Sequence, residues 1–197
     1  MNAYILAGGF SRRMGFDKTL IPFNGSPLIL YLYRKVSQFF PTFVVTKPNK
    51  IETYKRLGIK NVIPDRFENL QTPLIGIYTA LNHSEEKFNL ILSADLPLLC
   101  NQLLEFFKYF QPEKEFLGFV PFLGGKYHFN CSVYSKGLIP YIKEALKKEN
   151  FSIKQFLQRF KTLNEQVLEK FGITDECCFN LNTPKDLERL NILIRRY

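Results

Sequence analysis

Residues 3–18 read AYILAGGFSRRMGFDK: an apolar run, 3–7, stops at Gly8-Gly9 and gives way to a polar loop carrying Arg12, Arg13, Asp17 and Lys18. An unbroken apolar run this short fits a strand buried on both faces, since a sheet covered on both sides has no place for alternating polar residues. Working outward, residues 20–23 form a short extended piece and Asn24-Gly25 marks a turn. Pro27 suits a first helical turn, where its missing N–H would have had no partner, and 28–38 (LILYLYRKVSQ) has the spacing of an amphipathic helix. The pattern then repeats: strand 42–46, helix around 50–57, strand 61–64 ending at Asp65, helix 73–83, strand 88–93 and helix around 100–110. Strands each followed by a helix of about ten residues give an α/β fold with a mainly parallel sheet.

The second half is less regular. Residues 116–122 and 127–134 predict strands joined by a tight turn at Gly124-Gly125. Helices are expected over 136–149 and 152–160, and short strands near 161–166 and 177–180. Thr183 as N-cap and Pro184 at the first helical position open a final helix, TPKDLERLNILIRRY. No repeat, low-complexity stretch or linker divides the chain, so a single domain spanning 1–197 is expected.

Composition narrows the function classes. With 46% hydrophobic and 15% aromatic residues the chain can bury a core, which excludes disorder. No apolar run reaches the length of about 18 residues that a membrane helix needs. The start, MNAYILAGG, lacks the basic opening and cleavage site of a secretory signal, so a cytoplasmic location is expected. Four cysteines, Cys100, Cys131, Cys177 and Cys178, show no C-x-x-C spacing; they are expected to be reduced structural thiols rather than a zinc site or a disulfide framework. Net charge is +9, which suits an anionic partner: nucleic acid, an acidic membrane or a phosphorylated small molecule. The basic residues are spread in pairs such as Arg12-Arg13 and Lys147-Lys148, with no longer run, which disfavours a nucleic-acid arm.

The loop after the first strand carries the chemistry. In an open α/β sheet, ligands bind outside the carboxyl ends of the strands, where this loop lies. Gly8, Gly9 and Gly15 allow close backbone approach to an anion, Ser11 offers a hydroxyl donor, and Arg13 and Lys18 supply permanent charge. The spacing is neither that of a P-loop, since Lys18 does not directly follow Gly15, nor of a dinucleotide fingerprint, since position 10 is Phe10. Two aspartates follow predicted strands, Asp65 in VIPDRF and Asp95 in LILSADLP. Chemistry on a polyphosphate needs a divalent cation, and magnesium commonly takes only one or two carboxylates besides phosphate oxygens. On the residues alone, Asp95 could equally cap the following helix.

The segment LAGGFSRRMGFDK, 6–18, resembles the signature of the bacterial molybdenum cofactor guanylyltransferases, the MobA family, as L-A-G-G-x-S-x-R-M-G-x-D-K. Three further stretches are similar to the family: Asp95-Leu96-Pro97; Thr72-Pro73-Leu74-Ile75-Gly76-Ile77, with Thr72 where the family has glycine; and NLNTPKDL, 180–187. The resemblance implies a three-layer, Rossmann-like nucleotidyltransferase fold, about 1–110 binding nucleotide and about 111–197 binding acceptor. It implies transfer of GMP from GTP to molybdopterin, forming the guanine dinucleotide cofactor and releasing pyrophosphate. The alternatives on the same scaffold are a CTP-dependent molybdopterin cytidylyltransferase and a sugar-phosphate nucleotidyltransferase.

By the same resemblance, Leu6, Ala7, Gly8, Gly9, Lys18, Thr46, Asp65 and Asp95 contact nucleotide, Thr46 standing where relatives often carry asparagine. Lys18 and Arg13 hold the triphosphate, Asp95 binds Mg²⁺, and Asn180 and Asn182 approach the acceptor. Related cytidylyltransferases typically show L-A-A-G, and Gly9 is read as making room for the larger base. Asp17 is expected to be structural, tying Arg12 or Arg13 into the loop, and His128 to lie near the acceptor. GTP and molybdopterin are the implied partners, with no nucleic acid and no membrane. Room remains for transient contact with other cofactor-biosynthesis or molybdoenzyme-maturation proteins.

Overall fold

The computed structural model describes residues 1–9, 15–65, 72–113 and 115–194. Its first strand, β1 (Asn2–Leu6), is buried on both faces: Ala3 and Ile5 enter one core and Tyr4 the other. A hairpin of β2 (Pro22–Phe23) and β3 (Ser26–Pro27) leads into α1 (Leu28–Ser37). The chain continues as β4 (Thr42–Thr46), α2 (Ile51–Arg56), β5 (Val62–Pro64), α3 (Pro73–His83), β6 (Phe88–Ser93) and α4 (Asn101–Tyr109). Next come β7 (Gly118–Leu123), β8 (Lys126–Tyr127), β9 (Cys131–Ser135), α5 (Ile139–Lys147), β10 (Phe160–Asn164), α6 (Glu165–Glu169) and α7 (Pro184–Ile194).

Among the described residues the main sheet has eight strands in the order β10-β7-β9-β6-β1-β4-β5, with β8 paired to β7. β1 pairs in parallel with β4 and β6, β4 with β5, and β7 with β10, while β9 runs antiparallel between β6 and β7. The fold is the expected α/β architecture in three layers. One face of the sheet packs α1, α4 and α7 through Leu28, Ile29, Leu103, Phe107 and Leu190. The other packs α3 and α5 through Leu74, Ile77, Ala80 and Ile142. The chain moves outward from β1 through β4 to β5, then returns through α3 to β6 on the opposite side of β1. Such a reversal opens a crevice at the carboxyl ends of the strands, because the connections on either side of it diverge.

The later segments depart from expectation in places. The tight turn at Gly124-Gly125 is present, both glycines with positive φ (55° and 71°), but it joins β7 to the two-residue β8, and residues 128–130 break the strand before β9. The helix expected over 152–160 is a 3₁₀ stretch, Ile153–Arg159. The strand expected near 177–180 is a 3₁₀ turn, Asp175–Cys178. Its two cysteines point into the core layer rather than into a sheet. The cysteine expectation is corrected too: Cys100 and Cys177 form a disulfide across 77 residues, while Cys131 and Cys178 are free and buried. Spacing could not show this, because the partners are brought together by two separate elements, the start of α4 and the 175–178 turn.

Candidate active site

The carboxyl ends of four neighbouring strands are laced together by backbone hydrogen bonds. Ala7 N–H donates to Val45 O at 2.8 Å, Asp65 N–H to Thr46 O at 2.7 Å, and Ala94 N–H to Leu6 O at 3.1 Å. Asp65 and Asp95 thereby flank the segment Ala7-Gly8-Gly9, and an open cleft of about 760 Å³ lies over all of them. Leu6, Ala7, Gly8, Gly9, Lys18, Asp65, Asp95, Asn180 and Asn182, all expected site residues, line it together. Arg13 lies outside the described residues.

Lys18 lines this cleft. It opens a 3₁₀ turn, Lys18–Leu20, whose N-cap is Asp17: the carboxylate accepts from Thr19 N–H at 3.1 Å and from the Thr19 hydroxyl at 2.7 Å. Lys50 holds the other Asp17 oxygen at 2.7 Å, and the Thr19 hydroxyl meets Tyr54 Oη at 2.9 Å. Burial works against charge on Asp17, but the Lys50 and Thr19 hydrogen bonds outweigh it and hold its carboxyl below the ordinary range. Burial pushes the Tyr54 phenol up to about 12, so it stays a neutral partner for Thr19. Asp17 is therefore a structural anchor tied to Lys50 and α2; a tie to Arg12 or Arg13 falls outside the described residues.

From this anchored turn the Lys18 ammonium pairs with Asp95 Oδ2 and donates to Asn182 Oδ1 at 3.0 Å. Three segments far apart in sequence thus converge on one cation. Asn182 arrives there because Leu181 N–H donates to Asp95 O at 2.9 Å, which lays the chain alongside the Asp95 loop. Its neighbour Asn180 accepts from Asn130 Nδ2 at 2.5 Å. Behind them the Asp186 carboxylate accepts from Asn182 N–H at 2.9 Å and Thr183 N–H at 2.7 Å, fixing the entry to α7.

The second Asp95 oxygen, Oδ1, is buried and has no hydrogen-bond partner among the described residues. An orphaned carboxylate oxygen at the floor of a cleft is costly unless something else meets it, and a hard divalent cation is the partner its chemistry suits. No group of three or more His, Cys, Asp or Glu gathers among the described residues, so an all-protein cage is absent from them. Asp65 is held differently: its Oδ1 accepts from the Thr79 hydroxyl of α3 at 2.7 Å.

The structure adds residues that sequence reading missed. Lys47 lines the cleft, whereas Thr46 is fully buried beneath it with its hydroxyl toward Ala7 O at 3.5 Å. Thr72 caps α3, its hydroxyl accepting from Leu74 N–H at 3.4 Å, with ordinary extended backbone (φ −140°), so the departure from glycine is accommodated. On the far side Tyr127, Phe129 and Asn130 form a second wall. His128 does not join them. It is buried, its Nε2 on Leu123 O at 3.1 Å, and burial holds its pKa below the usual value despite that bond. The expectation at Gly9 also shifts. Position for position, L-A-A-G differs from Leu6-Ala7-Gly8-Gly9 at Gly8, and a Cβ there would come within 3.3 Å of Asp65 Oδ2. One at Gly9 would meet nothing within 4 Å among the described residues.

Comparison with known proteins decides the family, since the MobA-like NTP transferase domain matches residues 3–166. The chain belongs to this family. Members are nucleotidyltransferases, as this chain is. A Natranaerobius thermophilus protein named "probable molybdenum cofactor guanylyltransferase" is 31% identical, over 96% of this chain and 94% of its own length. The Vibrio cholerae "molybdenum cofactor guanylyltransferase" is 28% identical, over 96% of this chain and 90% of its own. Among solved structures, molybdopterin-guanine dinucleotide biosynthesis protein A of Archaeoglobus fulgidus superposes with a TM-score of 0.80. The alignment covers 100% of both chains at 22% identity, a likeness of fold.

Proposed function

We propose that this MobA-like transferase moves GMP from GTP to molybdopterin, forming the guanine dinucleotide cofactor and releasing pyrophosphate. The observation that carries the reading is the convergence of Lys18, Asp95 and Asn182 in one open cleft beside Gly8-Gly9. The residues lining the cleft come from both sides of that point. The β1-β4-β5 side, with Leu6, Gly8, Asp65 and Gly76, offers small residues and backbone for the nucleoside. The β9 side, with Tyr127, Phe129, Asn130 and Asn180, offers aromatic faces and amides for a flat heteroaromatic acceptor.

The terminal phosphate oxygen of the acceptor attacks the α-phosphorus of GTP in line. The new O–P bond forms as the bond between the α-phosphorus and the bridging oxygen breaks, and pyrophosphate carries the charge away. Lys18, fixed by its Asp17-capped turn, holds phosphate oxygens as they gain charge. Asp95, whose Oδ1 Lys18 leaves unmet, would hold Mg²⁺. When bound, the ion neutralises phosphate repulsion and polarises the α-phosphate. No side-chain nucleophile is required. The reading carries a cytoplasmic location, to be checked by cell fractionation.

The test supplies purified protein with magnesium, molybdopterin and, in separate reactions, GTP or CTP, and follows both dinucleotide and pyrophosphate. Product with GTP alone supports the proposal. Product with CTP instead makes the chain a cytidylyltransferase, and transfer only to a sugar phosphate removes molybdopterin from the reading.

A further inference from the structure

The Cys100–Cys177 disulfide does not line the cleft, yet both of its ends lead into it. Cys100 is the N-cap of α4, and the loop before it begins with Ala94-Asp95 on the cleft floor. Cys177 lies in the 175–178 turn, and the chain after that turn delivers Asn180 and Asn182. The two segments touch at the site itself, through Leu181 N–H on Asp95 O and through Asn182 on the same Lys18 ammonium that pairs with Asp95. The next cysteine, Cys178, is buried with its thiol against Cys131 of β9. Asn130, which precedes Cys131, donates to Asn180. The turn is thus pinned to α4 by a covalent bond and to β9 by a buried thiol pair, and the asparagine segment follows directly from it.

We propose that the Cys100–Cys177 disulfide is a positioning clasp, holding residues 180–182 against the Asp95 loop so that its redox state sets affinity for the acceptor and spares nucleotide binding. The proposal deepens, and rests on, the acceptor-side reading of Asn180 and Asn182. A crosslink between residues 77 apart restricts the chain before any ligand arrives, so the ordering of the asparagine segment is met in folding. With the bond open, acceptor binding must supply that ordering. Reduction is by a dithiol: the S–S bond breaks, each cysteine sulfur gains one electron and one proton, and the dithiol closes to its own disulfide. Cys100 is only partly buried, which leaves the bond an approach for a small reductant.

Three measurements on the full chain test the clasp. Thiol titration of protein purified without reductant and then denatured should find only Cys131 and Cys178 reactive; reaction at all four cysteines overturns it. Amide hydrogen exchange at Leu181 and Asn182 should quicken on adding dithiothreitol, and in Cys100→Ser, while β1 and β6 amides stay unchanged. Equal exchange in both states overturns it. Steady-state kinetics should show KM for molybdopterin rising about ten-fold on reduction while KM for GTP moves less than about two-fold. A common change in both, or none, overturns it. Reduction acts on the wild-type chain and can be reversed, so a variant that fails to fold does not stand in the way. Protein that transfers nothing in either state, yet keeps the exchange difference, sinks the proposed function and leaves the clasp standing.

Discussion

At Lys18 one ammonium answers to Asp95 and Asn182 together, and the site's chemistry can be probed one side chain at a time. Asp95→Asn keeps the shape but removes the charge that would hold a cation. Transfer should fall by roughly 10²–10³, a loss of the size seen when one transition-state stabiliser is removed. The magnesium-dependent part of nucleotide binding, read by calorimetry, should vanish with it. Gly8 and Gly9 make a second pair of predictions. Gly8→Ala presses a methyl toward the Asp65 carboxylate and should raise KM for GTP, whereas Gly9→Ala meets no described neighbour and should leave stability within about 0.5 kcal/mol. Gly8, Gly9, Lys18 and Asp95 were legible as candidates because three glycines gather with Ser11, Arg13 and Lys18 in one short loop and Asp95-Leu96-Pro97 is similar to the family's segment. Lys47 was not, since nothing in TKPNK sets it apart from a surface lysine. Side chains alternate along a strand, and that alternation turned Thr46 under the sheet and left the next residue facing the cleft.

Among the elements, those with regular period were readable and those held by side-chain bonds were not. α3 begins at Pro73 and ends at His83, as its spacing predicts. The 3₁₀ turns at Lys18–Leu20 and Asp175–Cys178 carry no period and depend on Asp17 and on cysteine contacts. Two of these local anchors give a pH dependence. Asp17 is held below the ordinary carboxylate value despite its burial, by Lys50 and Thr19. Asp186 is held low, also against burial, by the Asn182 and Thr183 N–H groups and the Thr183 hydroxyl. A depressed carboxyl stabilises the fold fully above its unfolded value of 3.8 and loses that contribution as pH falls through its lower folded value. Urea midpoints should therefore drop on acidification below about pH 4, and Asp17→Asn should flatten that slope. Between β7 and β10, a Cβ on Gly118 would stand 2.1 Å from the Phe160 ring. Gly118→Ala should cost about 1–3 kcal/mol in urea unfolding, and Phe160→Leu in the same chain should recover part of it.

Across the whole molecule, the strand reversal beside β1 gathers loops from both halves of the chain onto one edge. A ligand bridging those loops binds the folded chain and not the unfolded one, so it must raise stability. GTP with magnesium at about a hundred times its dissociation constant should add about 2.7 kcal/mol, visible as an upward shift in Tm. CTP at the same concentration should give a smaller shift. An equal shift from both nucleotides would remove base selectivity from the Gly8 region.

The alternation of strands and helices over the first 110 residues followed from the sequence, and the loop 6–18 and Asp95 stood out in it as candidates once the family resemblance was added. They depend on residues that are neighbours in the chain, where spacing and backbone preference act directly. The pairing of Lys18 with both Asp95 and Asn182, the burial of Thr46 and His128, the aromatic wall at Tyr127 and Phe129, and the joining of Cys100 to Cys177 were decided only in three dimensions. Each of those depends on how the sheet orders its strands and which face each loop leaves from, a balance of packing across the whole core that no local pattern records.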